Sequence, residues 1–265
     1  RLDYTLRLAT ILADVVDSSD AGISTVPLGW SNDAFETKDS ARQIQKCIEG
    51  LQEIEHNTGV CVHLDIETEP GCRLQRSSDL SNFVNTYFGD DEVARRFLRV
   101  CHDTCHAAVM HGRGEDAIDN YKEAGLIIGK VQLSCAIEVD FTADTTNQVL
   151  EDLQSIAEPR YLHQTTIQDE GEVKFFENLP DVPLVIPSGI WRVHYHIPIH
   201  AKNFGSLGTT QSDLQRSIPL LKNAGATEWE VETYTWDVMP SELRIGDLVD
   251  SISKEIEWAA SQIYT

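Results

Sequence analysis

Positive charge is scarce in this chain. Its 265 residues hold 21 Lys+Arg against 43 Asp+Glu, a formal charge of −22. A surface that acidic repels phosphate backbones, so duplex or single-stranded nucleic acid is not an expected partner, and an anionic membrane surface is disfavoured for the same reason. Long apolar runs are absent too: none approaches the roughly 18 residues of a membrane-spanning helix, so no membrane insertion is expected. The opening Arg1-Leu2-Asp3-Tyr4 has neither an initiator Met nor a signal-peptide core, and the chain reads as a fragment or processed form. Cysteine is sparse. Cys47, Cys61, Cys72, Cys101, Cys105 and Cys135 are too few for a disulfide-stapled scaffold, and several lie in apolar stretches as free buried thiols do. A cytoplasmic location follows as the expectation. Repeats, low-complexity tracts and linkers are also missing, which points to a single domain over residues 1–265.

What is present is an alternation of amphipathic helices and short apolar strands. Helical spacing predicts helices over 2–16, 39–56, 78–88, 115–124, 146–157 and 211–223. A last helix carries Leu248, Ile252, Ile256, Ala259 and Ile263 along one face. Gly59 and Gly125 read as helix stops. Strands are predicted at 22–29, 60–66, 97–102, 126–133, 191–197 and 229–234, with an irregular stretch of acidic clusters and prolines before the fifth. Strict alternation implies a parallel sheet with helical cover, either an open doubly wound sheet or a βα-barrel. Six strands fit the open sheet directly, whereas a closed barrel needs about eight.

The polar residues favour the barrel. Glu67 and Glu69 end the second strand, Asp103 and His106 the third, His194 and His196 lie on the fifth with His200 beyond, and Glu230 and Glu232 lie on the sixth. Ends that converge on one mouth explain so many strand-end charges more economically than ends spread along an edge. Carboxylates and imidazoles from several strands make a ligand set for Mn²⁺, Zn²⁺, Mg²⁺ or Co²⁺. The competing reading is structural, since strand-end Asp and Glu often cap the next helix or face solvent.

Other motifs carry less. Gly112-Arg113-Gly114-Glu115-Asp116-Ala117 matches a dinucleotide-binding pattern, but it stands past its strand with acids close behind, so a helix-capping turn is the better reading. Asp144-Thr145-Thr146 and Thr209-Thr210-Gln211-Ser212-Asp213 read as helix entries. Trp30, Trp191, Trp229 and Trp236 stand at strand ends, where core packing is favoured over a substrate-stacking wall. His163 reads as a core or solvated residue rather than a loop ligand. Cys101 to His106 spaces its cysteines by three residues, which does not fit c-type haem attachment.

The segments Ile23-Ser24-Thr25-Val26-Pro27-Leu28, Glu67-Thr68-Glu69-Pro70-Gly71-Cys72, Asp103-Thr104-Cys105-His106, Lys130-Val131-Gln132-Leu133-Ser134, Tyr161-Leu162-His163-Gln164, Trp191-Arg192-Val193-His194-Tyr195-His196 and Glu230-Val231-Glu232-Thr233-Tyr234-Thr235-Trp236 occur in that order through nearly the whole chain. Together they resemble the EboE metabolite-traffic family within the xylose-isomerase-like TIM-barrel superfamily, which includes sugar isomerases, sugar epimerases and a DNA-repair endonuclease. The resemblance implies a TIM-type (β/α) barrel whose N-terminal strands precede this chain. It also implies a role in moving a metabolite precursor, with proteins of the same export pathway as partners.

Carried over by residue, the resemblance implies metal ligands at Glu67, Asp103 with His106, and Glu232. Gln132 stands where the superfamily has a His, and His194 or His196 would substitute from the neighbouring strand. The full expected metal set is therefore Glu67, Asp103, His106, His194, His196 and Glu232, with Glu67 and Glu232 as the catalytic proton-transfer pair. Two functions stay open: a divalent-metal-dependent sugar or sugar-phosphate isomerase or epimerase acting on a small polyhydroxylated metabolite, and a non-catalytic protein that binds and hands on such a metabolite. The endonuclease reading suffers from both the altered ligand set and the −22 charge.

Overall fold

The computed structural model describes residues 1–25, 27–141, 147–183 and 188–264. In chain order the elements are α1 (Leu2–Val15), β1 (Asp20–Thr25), α2 (Thr37–Thr58), β2 (Cys61–Glu67), α3 (Ser77–Tyr87), α4 (Glu92–Phe97), β3 (Leu98–Asp103), α5 (Thr104–Val109), α6 (Gly114–Glu123), β4 (Ile128–Leu133) and β5 (Cys135–Asp140). They continue with α7 (Asn147–Ser155), β6 (Thr165–Asp169), β7 (Glu172–Phe176), β8 (Ile190–Ile197), β9 (Asn203–Phe204), β10 (Leu207–Thr209), α8 (Gln211–Asn223), β11 (Trp229–Val231) and α9 (Leu248–Ile263). One sheet has the order β1-β2-β3-β4-β11, the other β7-β6-β8-β5-β10-β9. The chain divides into two compact units: Arg1–His102, Asp116–Val131 and Ala224–Glu228 form the first, and Asp103–Glu115, Gln132–Asn223 and Trp229–Thr265 the second.

In the first unit β1 pairs in parallel with β2, in the register Gly22↔His63 and Ser24↔Asp65. The helix α2 buries Ile44, Cys47, Ile48 and Leu51, three and four residues apart, and ends at Gly59. Gly59 has φ 77°, the left-handed geometry that glycine supplies without steric cost, and its N–H caps Glu55 O. Successive residues of β2 face opposite sides of the sheet, so Val62, Leu64 and Ile66 share one face and His63 and Asp65 the other. The Asp65 carboxylate is fully buried and its Oδ1 lies 2.6 Å from His63 Nδ1. Gly22 and Gly129 admit it: a Cβ on either would stand 2.2 or 2.0 Å from an Asp65 oxygen.

The second unit departs from the expected alternation. Among the described residues its strands pair antiparallel, β6 with β7 and β8, β5 with β8 and β10, β10 with β9. The strand expected at 191–197 is present as β8, but it belongs to this antiparallel sheet and not to the parallel one. Only Ser134 separates β4 from β5, which lies beyond the strand expected at 126–133, and the hairpin of β6 and β7 lies in the stretch expected to be irregular. The last expected strand is shorter than read, Trp229–Val231. The expected helix entry at Asp144-Thr145-Thr146 and Val26 of the first resembling segment lie outside the described residues.

The last helix is turned differently from its apolar stripe. Leu248, Ile252 and Ile256 are exposed, while Ser251, Glu255, Ala259 and Ile263 are buried. The reason is local: Glu255 accepts from Ile199 N at 3.0 Å and Thr233 Oγ1 at 2.7 Å, which ties the helix by its carboxylate. The six cysteines are buried and free, as their apolar neighbours suggested. Among the described residues no helix is long and apolar enough to cross a membrane.

Burial holds the Glu255 carboxyl above its ordinary 4.5, with the Thr233 and Ile199 hydrogen bonds opposing it. An acid whose folded pKa is raised binds more protons folded than unfolded in the window above 4.5, so its contribution to stability falls as pH rises through that window. Glu255→Gln keeps the acceptor oxygen and removes the titration. Urea unfolding at pH 5 and pH 8 should therefore show the Gln variant gaining on wild type as pH rises; a stability difference that stays constant across that interval contradicts the assignment.

Candidate metal centre

Asp103 is the last residue of β3 and the N-cap of α5, its Oδ1 accepting from His106 N at 2.7 Å. The cap explains the Asp-x-x-His spacing: the third helical residue is the one whose N–H a cap can reach, and it emerges beside the capping side chain. Both readings of this strand-end Asp are thus met at once, since the carboxylate caps a helix and still faces other donors. Ser134, at the single-residue junction of β4 and β5, places its Oγ 3.1 and 3.2 Å from the two Asp103 oxygens and accepts from Cys105 N at 3.3 Å. The Thr104 hydroxyl lies 2.8 Å from Ser134 O and 3.1 Å from Gln132 O, and accepts from Ser134 N at 3.0 Å. A buried carboxylate is held on one side by hydroxyl and amide donors.

On its other side stand imidazoles. His194 and His196 alternate along β8 and so share a face, with Val193 and Tyr195 on the opposite one. His106 Nε2 lies 3.1 Å from His194 Nε2 and 3.4 Å from His196 Nε2. His196 Nε2 is 3.9 Å from Asp103 Oδ2, and His106 Nδ1 is 3.9 Å from Asp103 Oδ1. All three rings and Asp103 are buried. The far nitrogens have their own acceptors: His194 Nδ1 meets Gln164 Oε1 at 2.8 Å, and His196 Nδ1 meets Glu232 O at 2.8 Å. Oxygen acceptors there place the proton on Nδ1 in each ring and leave the Nε2 lone pairs turned toward His106.

Charge follows from this burial. Burial pushes the His194 imidazole well below its ordinary value, and the neighbouring His106 and His196 push the same way. Burial likewise lowers His196 to about 4, against the pull of Asp103. For Asp103, burial opposes ionisation but His106 and His196, with the His106 amide, outweigh it and hold the carboxyl below the usual range. Asp103 thus presents an anionic oxygen, and His194 and His196 neutral nitrogens, which is a donor set for a cation. Asp103, His106 and His196 each bring one ligand atom within 4.8 Å of the others, as do Cys105, His194 and His196.

Of the expected site residues, Asp103, His106, His194, His196 and Glu232 belong to the second unit, and Glu67 ends β2 in the first. Glu232 offers its main-chain oxygen to His196, and its Oε2 stands 3.8 Å from the same ring nitrogen. Glu230, its expected companion, is exposed on β11. Sequence reasoning missed Ser134 and Gln164, which position Asp103 and His194; both lie inside segments that carried the family resemblance, yet neither is a ligand type. His163 is a core residue as expected, stacked on Tyr195 at 4.9 Å with Nδ1 3.3 Å from His194 O. Trp191 is buried and its Nε1 donates to Ser188 O at 2.9 Å, so it packs rather than lines a surface. The Gly112–Ala117 motif opens α6 at Gly114, a helix entry.

No protein-family model matches the chain, and no curated protein matches it in sequence. Solved structures do resemble it. One, described as the IOLI protein with a binding zinc atom, matches 99% of this chain and 68% of its own at 13% identity and a TM-score of 0.51. L-ribulose 3-epimerase matches 99% of this chain and 67% of its own at 10% identity and a TM-score of 0.50. The 3-keto-D-glucoside 4-epimerase YcjR from E. coli matches 98% and 70% at 11% identity, with a TM-score of 0.49. At these identities the likeness concerns the fold, and it bears out the expected class: α/β, of the TIM-barrel type.

Thr104 gives a direct check on how the site is held. Replacing its hydroxyl by a methyl group in Thr104→Val leaves Ser134 N and two carbonyls without that partner in a buried position. Loss of about 1–3 kcal/mol in urea unfolding is expected; a change within about 0.5 kcal/mol, the ordinary range for surface substitutions, would show that the junction does not depend on it.

Proposed function

We propose that this chain is a sugar isomerase- or epimerase-like protein that acts on or binds a small polyhydroxylated metabolite, with a divalent cation held by Asp103, His106, His194, His196 and Glu232. The observation that carries the proposal is the approach of His106 Nε2 to within 3.1 and 3.4 Å of two other imidazole Nε2 atoms beside a buried carboxylate. A neutral His106 with its proton on Nε2 donates to one of these nitrogens and leaves the other facing it unbonded, whereas a cation satisfies the whole set at once. The residues fit the group on their chemistry: one anionic oxygen, neutral nitrogens with the lone pair turned inward, and acceptors behind the rings that fix their orientation.

A cation bound there supplies polarisation of adjacent hydroxyl and carbonyl oxygens of a polyol substrate. The chain's own residues do the rest. Asp103, fixed by Ser134 and the α5 amide, keeps its charge in place. Glu232 stands as the group that takes and returns a proton at the substrate carbon, the role expected for it from the strand-end pattern. Glu67 enters through that pattern alone, as the second member of the proton-transfer pair and a further ligand.

The alternative is a binding protein that hands its metabolite on without converting it. It draws on Gln132, which occupies the position where the resemblance implies a His. A role in metabolite export rests on the likeness of the quoted segments to the EboE family, with other proteins of that pathway as partners. Incubation with ketoses in D₂O separates the two readings: deuterium entering the carbon next to the carbonyl marks proton transfer, whereas binding without exchange marks hand-over.

The cation itself is tested on chelator-stripped protein by calorimetric titration with Mn²⁺ and Zn²⁺. Asp103→Asn keeps the shape and the capping oxygen and removes the charge. Since altering a mere supporting residue costs about 10–100-fold in metal affinity, this variant should lose at least as much while its circular dichroism stays unchanged. Equal weak binding by wild type and Asp103→Asn would return these residues to the status of helix caps; Glu67→Gln in the same titration measures the share of Glu67.

A further inference from the structure

We infer that Tyr234 is a specificity-determining residue of this site, its ring forming the wall against which the C–H face of a ring-closed sugar lies. The inference rests on the sugar-binding reading above and is independent of which cation is bound. The Tyr234 ring centroid lies 4.6 Å from that of His196, and its hydroxyl oxygen lies 3.5 Å from His194 Nε2. The imidazoles of His106, His194 and His196 are at most 5% exposed, yet Tyr234 is 43% exposed. One part of the ring therefore touches the buried polar cluster while the rest meets solvent. A ligand seated on these imidazoles lies alongside it.

The chain holds this ring in place from several sides. Its two neighbours are tied inward: Thr233 Oγ1 donates to the Glu255 carboxylate at 2.7 Å, and Thr235 Oγ1 donates to His196 O at 2.7 Å. Tyr161 meets the Tyr234 ring at 5.2 Å and 65°, the edge-on arrangement that aromatic pairs favour. The segment that brings Tyr161 is closed on Glu158, whose carboxylate accepts from Arg160 N at 2.7 Å and from Tyr161 N at 3.0 Å. Arg160 stands 5.4 Å over the Tyr161 ring and pairs at 3.5 Å with Asp237, three residues beyond Tyr234. The two segments are thus joined twice. Trp236, the other large aromatic of this stretch, carries the Arg244 guanidinium over its ring at 5.3 Å and so serves the loop itself. A surface ordered before its ligand arrives loses less freedom on binding, and a fixed aromatic of this kind is a strong anchor.

The chemistry of the ring selects its ligand. An aromatic face is electron-rich, and weakly positive C–H groups lie well on it. A closed sugar ring has hydroxyls around its rim and C–H groups on its faces, so one face can rest on Tyr234 while the rim reaches the polar groups at His194, His196 and Glu232. An open-chain polyol of the same composition has no such continuous face.

The experiment compares ring-locked methyl glycosides with the corresponding open-chain alditols on the full chain, with Mn²⁺ or Zn²⁺ present, by calorimetry and saturation-transfer NMR. Wild type should bind the glycosides more tightly than the alditols, and saturation of the protein's aromatic protons should pass to the C–H protons of one glycoside face. Tyr234→Ala should weaken glycoside binding about tenfold and leave alditol binding unchanged, whereas Tyr234→Phe, which keeps the ring, should retain the wild-type preference. Equal affinity of wild type for glycosides and alditols, or glycoside binding unmoved by Tyr234→Ala, overturns the inference and leaves the sugar-binding reading standing. Binding of neither class by wild type overturns that reading as well. The wild-type NMR spectrum decides without reliance on any variant folding: saturation spread evenly over both glycoside faces overturns the inference.

Discussion

The buried carboxylate of Asp103 is the constraint on which the second unit's polar interior is organised. An ionised oxygen out of water has to be met by donors from every direction or be neutralised. One direction is filled by the first turn of α5, another by the Ser134 hydroxyl, and the remaining side by imidazoles. Each of these partners comes from a different part of the chain, so satisfying a single charge fixes the strand-to-helix step at 103, the β4-to-β5 junction at 134 and the face that β8 presents. The short loop at Ser134 is then not an arbitrary turn. Its backbone and side chain bond to Thr104, Cys105 and Asp103 together.

The same constraint bears on the chemistry. Two imidazoles kept neutral by burial, those of His194 and His196, beside a third ring and an acid kept ionised, are costly to leave facing one another and well suited to a cation. Two are supplied by a strand of the antiparallel sheet, and their outward nitrogens are committed to Gln164 and to the Glu232 main chain. A ring whose rear proton is already bonded cannot turn its other nitrogen away without losing that bond. The arrangement therefore restricts rotation of the rings, which is what a ligand set needs before the ligand arrives. Glu232 has a double part: its main-chain oxygen orients His196, and its side chain stands close by as an acid.

Departures from the expected alternation have a common cause. A strand-period pattern reports that a segment is extended and which of its residues share a face, but not which neighbour it pairs with. Residues 190–197 were legible as a strand with His194 and His196 on one face, and that is how β8 is built. Its antiparallel partners were not legible, because β5 follows β4 after one residue, while β6 and β7 are short, β7 is half-exposed, and a Gly171 turn separates them. In α9 the apolar stripe gave the right period, but only its C-terminal members Ala259 and Ile263 face inward. Leu248, Ile252 and Ile256 lie outward because a carboxylate, Glu255, is anchored by two donors and sets the helix rotation.

The amino-acid sequence by itself determined the α/β class, the positions of the main helices and the identity of the ligand-type residues, since periodicity, caps and strand-end charges are local properties of the chain. It also marked Asp103 and His106 as a unit, because an N-cap and the third residue of its helix are bound to meet. Tertiary structure alone decided that His106 meets His194 and His196, 88 and 90 residues away, and that Ser134 and Gln164 hold the set in place. Those contacts depend on the sheet in which β8 pairs and on the hydrogen bonds that orient each ring, and long-range pairing leaves no periodic trace in a single sequence.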